Sequence, residues 1–82
     1  HYIFSHTVKF CDLDHNQHMN NTNYATLVMN ASTNKTPTHF EINFLNECIE
    51  SNEIKVYHQI VNTTEYVYGV VDDKMVFTSL IN

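Results

Sequence analysis

The chain has 82 residues, 43% of them hydrophobic, with one Gly, one Pro and no apolar run long enough to span a bilayer, which points to one small globular domain. Nine acidic residues against four lysines and no arginine leave a formal net charge of −5. That excludes nucleic-acid binding through the phosphate backbone, which needs clustered Lys or Arg to displace counterions. Cys11 and Cys48 have neither the number nor the spacing of a disulfide framework or a CxxC zinc site, so a reducing, cytoplasmic setting is expected. The sequence starts at His1 and enters a strand pattern at once; no signal peptide is visible, and whether residues precede it is left open. A domain of this size buries only about 60 to 65% of its unfolded surface, so pairing with a second unit is expected.

In chain order, Tyr2, Phe4, His6, Val8 and Phe10 share one face of a period-two pattern, which predicts a half-buried strand. A polar cluster, Asp12 to Asn21, follows. The period then changes: Tyr24, Leu27, Val28 and Ala31 fall at helical spacing, predicting a helix over Asn21 to Ala31. Asn20 is its natural N-cap, and Met19 and Tyr24 can close a hydrophobic staple over it. The Ser-Thr-Asn-Lys-Thr-Pro stretch before Phe40 ends the helix, since Pro37 cannot continue one. Strands then return at Phe40, Ile42 and Phe44, at Ile54 to Ile60, at Tyr66 to Val71 and at Met75 to Ile81, with polar turns at Asn62-Thr63-Thr64 and Asp72-Asp73-Lys74. Short connections favour antiparallel neighbours, and the helix must cover one sheet face. The fold class is therefore α+β, about five antiparallel strands with one helix, as a single domain over residues 1–82.

The cluster Asp-Leu-Asp-His-Asn-Gln-His-Met-Asn-Asn carries the chemistry. Asp12, Asp14 and Asn16 suit the first ligand places of a calcium loop, but Gln17 replaces the glycine of the sharp turn and Asn23 the bidentate glutamate. His15 and His18 lack a third zinc ligand at recognisable spacing. No metal or cofactor is expected. A polar turn capping the helix accounts for the Asp and Asn content. An active site accounts for it equally well, because a carboxylate, an imidazole and a carboxamide beside unpaired helix N–H groups can activate water and hold an oxyanion.

Val8 to Asn21, continuing to Tyr24, resembles the acyl-ACP thioesterase signature of strand, Asp-Leu-Asp-x-Asn-x-His-Val-Asn-Asn and Tyr. Phe40 to Cys48 resembles that family's strand ending in Glu-Cys after the central helix. The resemblance implies a hot-dog fold, in which an antiparallel sheet wraps one helix, with this chain matching the C-terminal unit of a double-hot-dog enzyme. It implies that Asp14, Asn16 and His18 form the catalytic set, that Glu47 completes it, and that Cys48 is an alternative nucleophile. Asn20 and Asn21 would bind substrate at the helix start. The implied reaction is hydrolysis of a fatty acyl thioester on acyl carrier protein, with a second hot-dog unit, in cis or as a homodimer, beside it. Two other readings are a single-unit acyl-CoA thioesterase, whose motif also aligns its aspartate with Asp14 but carries glycine at Gln17, and a non-catalytic dimerisation or ligand-binding hot dog.

Strand phase groups Cys48 with Phe40, Ile42 and Phe44, pointing the thiol inward and Glu47 outward unless a bulge intervenes. No cationic residue near Cys48 would lower its pKa, so Glu47 is expected to assist water and Cys48 to pack. His58 reads as a satisfied core or interface histidine, His39 as a surface one, and Tyr57, Tyr66 and Tyr68 as half-buried strand residues. Gly69, inside a strand pattern, reads as a bulge or a close backbone contact.

Overall fold

A computed structural model describes residues 1–34 and 36–82; Lys35, in the stretch expected to end the helix, lies outside the described residues. The elements run β1 (Tyr2–Thr7), α1 (Asn21–Ala31), β2 (Phe40–Phe44), β3 (Glu53–Val61), β4 (Thr64–Val71) and β5 (Lys74–Ile81), with one turn of 3-10 helix at Phe10–Asp12. The five strands form one antiparallel sheet in the order β1-β3-β4-β5-β2. This is the expected sequence of strand, helix and four strands. The strand before the polar cluster is shorter than its alternation suggests. β1 ends at Thr7, Val8 is buried beyond it, and Phe10 sits 70% exposed in the 3-10 turn.

The helix forms where its apolar spacing places it, and Tyr24, Leu27, Val28 and Ala31 are its buried residues. Asn20 caps it, its side-chain oxygen accepting from the Thr22 N–H at 2.9 Å, and the Ser32 N–H closes the last turn on the Val28 carbonyl. Opposite lie Ile54 and Val56 of β3, Val67 of β4, and Phe77 and Ile81 of β5, all fully buried in the same core. Each such side chain contributes roughly 1.5–3 kcal/mol relative to an exposed position.

Two tight turns link β3 to β4 and β4 to β5. Asn62, Asp72 and Asp73 adopt positive φ there, which Asn and Asp tolerate at little cost. Gly69 fulfils both of its expected roles. The register shifts between Gly69 and Val70, and a Cβ at Gly69 would overlap the Phe77 ring and Ile54. On the other sheet face, Tyr57 and Tyr68 pair across β3 and β4 with rings stacked at 5.2 Å, and Tyr2 meets Tyr57 edge-on.

Candidate active site

The polar cluster folds into a narrow hairpin between β1 and α1. Leu13 and Met19 bridge across its neck, and the Asp14 N–H donates to the His18 carbonyl at 2.9 Å. At the tip, Asp14 Oδ1 accepts from the Asn16 N–H at 2.8 Å and from the His18 N–H at 3.4 Å, while Gln17 takes φ of 69°. Gln17 thus does with positive φ what glycine does elsewhere, at a cost this side-chain cap offsets. One Asp14 oxygen is committed to the turn. Neither backbone bond uses its other oxygen.

The second wall comes from the segment after β2, and it differs from a simple strand ending in Glu-Cys. β2 stops at Phe44, and the Leu45 and Asn46 N–H groups both turn to the Val76 carbonyl, at 2.9 and 3.3 Å. Sharing one acceptor breaks the alternation. Cys48 is nonetheless fully buried, as its phase suggested, and its carbonyl accepts from the Met19 N–H at 2.8 Å. That bond ties the two walls together. Glu47 is left with its side chain 73% exposed, and its Oε2 lies 3.3 Å from His18 Nε2.

Between the walls is a cleft of about 500 Å³ lined by Asp14, Asn16, His18, Asn20, Asn21 and Glu47 among its polar groups. Six of the seven residues singled out in the sequence therefore gather in one place. Cys48 lies behind it. Met19, Tyr24, Phe44, Leu45 and Asn46 complete the lining. Of these, Leu45 and Asn46 carry no motif of their own, and only their adjacency to Glu47 could have marked them.

The electrostatics separate Glu47 from Cys48. Burial pushes the Cys48 thiol up from its ordinary value, and the nearby Tyr24 hydroxyl offsets this only in part. A protonated, enclosed thiol is a poor nucleophile. Tyr24 is itself pushed up, first by burial and then by the Cys48 thiol beside it. Its hydroxyl is buried without a hydrogen-bond partner of ordinary geometry among the described residues. Among the same residues, no group of three or more His, Cys, Asp or Glu side chains could hold a metal ion, and no helix is long and apolar enough to cross a membrane.

Behind the hairpin, Asp12 Oδ2 accepts from the Lys9 N–H at 3.0 Å and meets His6 Nε2 at 2.8 Å. At the far end of α1, Glu65 is buried with His58, Ser32 and the Thr33 and Asn34 amides around it. Neither arrangement was visible in the sequence, because each joins residues from separate elements. His58, which the sequence marks as a satisfied core or interface histidine, is half-buried and satisfied by Glu65.

No curated protein sequence matches the chain. Among solved structures, an acyl-ACP thioesterase from Bacteroides thetaiotaomicron superposes with a TM-score of 0.87 at 18% identity, covering 99% of this chain and 36% of that one. A gentisyl-coenzyme A thioesterase superposes with a TM-score of 0.80 at 10% identity, covering 96% of this chain and 83% of the other. YbaW, a probable thioesterase of Escherichia coli, gives 0.76 at 16% identity, covering 99% and 79%. These likenesses establish the hot-dog fold expected from the sequence. The acyl-ACP thioesterase C-terminal domain family matches residues 2–76, so the chain belongs to that family.

Proposed function

We propose that the protein hydrolyses fatty acyl thioesters on acyl carrier protein, and that the cleft beside the N-terminus of α1 is where the thioester reacts. The observation that carries this reading is the approach of Glu47 to His18, 3.3 Å apart in the same cleft as Asp14 and Asn16. In the reaction, Glu47 accepts a proton from water as the water oxygen attacks the thioester carbonyl carbon. The carbonyl electrons move to oxygen, and the resulting oxyanion lies at the positive, N-terminal end of the α1 dipole. Collapse breaks the carbon–sulfur bond, the thiolate takes the proton that Glu47 accepted, which restores the carboxylate, and free fatty acid leaves. His18 and Asn16 orient the thioester. Asp14 shapes the hairpin with one oxygen and adds negative charge beside the water with the other.

Acyl carrier protein is favoured over coenzyme A by the family to which residues 2–76 belong. This chain spans 36% of the Bacteroides enzyme, and with net charge −5 it offers little attraction to an acidic carrier. A second, basic hot-dog unit in cis supplies the docking surface in this reading, since an identical copy would carry the same net charge of −5. β2 is an edge strand of the sheet and leads directly into the cleft wall, which makes it the natural place for that unit to add. A free buried thiol at Cys48 and a free exposed one at Cys11 fit a cytoplasmic setting.

The test is turnover of the full-length protein on matched acyl-ACP and acyl-CoA substrates. Faster hydrolysis of acyl-ACP is expected. A strong preference for coenzyme A would replace the carrier with the single-unit acyl-CoA reading, and inactivity on both in a folded protein would leave a binding module.

A further inference from the structure

Asp12 is the one carboxylate of the polar cluster that does not line the cleft, and it is the better anchored of the cluster's two aspartates. Its side chain is 15% exposed and receives bonds from three elements. His6 reaches it from β1 at 2.8 Å and the Lys9 N–H from the 3-10 turn at 3.0 Å. Asn23, on the first turn of α1, places its Nδ2 3.0 Å from the Asp12 carbonyl and 3.4 Å from Oδ1. The same carbonyl accepts from the Asn20 N–H at 2.8 Å. Asp12 therefore stands where β1, the hairpin neck and α1 converge.

We propose that Asp12, with His6 and Asn23, positions the hairpin for hydrolysis: the three side chains fix the neck from which Asp14 and His18 are presented to Glu47. This rests on the reading of the cleft as a thioesterase site. The hairpin beyond the neck makes few other ties to the rest of the molecule. The neck itself is held, since Leu13 and Met19 bridge each other and pack on the core, the Leu13 N–H donates to the Phe10 carbonyl at 3.1 Å and the Met19 N–H to the Cys48 carbonyl at 2.8 Å. Among the described residues, by contrast, the backbone bonds of residues 14–18 stay within the turn. Without the anchor the Asp14–His18 turn keeps its internal bonds but loses its bearing on Glu47, and displacements of about an ångström at reacting groups can cost about a hundredfold in rate. Burial works against an ionised Asp12, yet the Lys9 amide and His6 hold its carboxyl below the ordinary value, so the donors outweigh the desolvation.

The experiment compares His6→Leu with His6→Gln in the full-length protein, because glutamine retains an N–H that can reach Asp12 and leucine does not. His6→Leu should lower kcat about tenfold with KM within about twofold, and His6→Gln should recover more than half of the loss. Amide hydrogen exchange at residues 14–18 should quicken about tenfold in His6→Leu while the amides of β3, β4 and β5 keep wild-type rates. Equal kcat in the two variants, or wild-type exchange at residues 14–18 in His6→Leu, would overturn the proposal. If the wild-type protein hydrolyses no thioester, the proposed activity fails and the exchange rates alone decide whether Asp12 positions the hairpin. Asn23→Ala, which approaches the same anchor from α1, should quicken exchange at the same residues, and unchanged exchange there would likewise count against it.

Discussion

The two ends of α1 each bring a histidine to a glutamate, and the two pairs are in opposite states. At the C-terminal end, His58 and Glu65 have side chains only 12% and 6% exposed, and Glu65 also receives Ser32 Oγ at 3.0 Å and the Thr33 and Asn34 amides at 3.0 and 2.9 Å. Every lone pair has a partner, and nothing can reach the carboxylate. At the N-terminal end, His18 and Glu47 are 39% and 73% exposed, meet at 3.3 Å and have room around them. Composition cannot tell such pairs apart. Satisfaction by neighbours makes one a fastening, and the lack of it makes the other available to a substrate.

Removing the fastening should produce the largest effect. Glu65→Ala leaves the half-buried His58 and the Thr33 amide without their acceptor and is expected to cost about 3 kcal/mol, read as a lower denaturant midpoint, with little change in turnover per folded molecule. If turnover falls and stability holds, the contrast between the two ends is broken.

Acid should find the same point. Burial alone would raise the Glu65 carboxyl, but the Thr33 amide, His58, Ser32 and the Asn34 amide outweigh it and bring it to about 2. Because the folded value lies below the ordinary 4.5, the contribution is complete above about pH 4.5 and is lost as pH falls toward 2. About 3 kcal/mol of stability should disappear across that window, and Glu65→Gln should flatten the dependence in acid denaturation.

At the open end the losses should be in rate instead. Asp14→Asn keeps an oxygen to accept from the Asn16 and His18 amides, so the turn and the melting temperature should survive while hydrolysis falls by about two orders of magnitude. Glu47→Gln and His18→Ala should behave similarly, since neither side chain belongs to the core. Wild-type turnover in a folded Asp14→Asn protein would make the cluster a turn and nothing more.

The smallest effect is expected at Cys48. Cys48→Ala should retain most activity, lose about 1 kcal/mol of stability from a fully packed position and form no acyl-enzyme. An acyl group trapped on Cys48 would move the chemistry from Glu47 to the thiol.

Much of this was legible in the sequence because it is written in local periodicity. The bounds of α1, the Asn20 cap and the turns before β4 and β5 all depend on residues close in the chain, and Gly69 stands out as the one glycine in a strand pattern. β1 was overestimated because Phe10 continues the alternation, while a 3-10 turn held by the Asp12 carboxylate interrupts the backbone at Lys9. Strand phase alone points Glu47 outward, and only a break in the strand brings it beside His18. Phase put Cys48 inside, as observed, but a shared carbonyl at Val76, which no pattern announces, is what carries Glu47 round to His18. The pairing of His58 with Glu65 and of His6 with Asp12 depended on tertiary geometry altogether.

The order of strands in the sheet also says when the cleft is built. β3, β4 and β5 form a meander joined by tight turns, so their partners are near neighbours in the chain and little entropy is lost in bringing them together. The flanking strands close far longer loops: Thr7 must find Glu53, and Phe40 must find Ile81. Such distant pairings are slow, and they follow the local ones. The hairpin hangs from β1 and Glu47 from β2, so both walls of the cleft ride on the two edge strands, which close the longest loops. An unfolding excursion that releases either flank dismantles the site while the meander stands, and inactivation should therefore precede global denaturation.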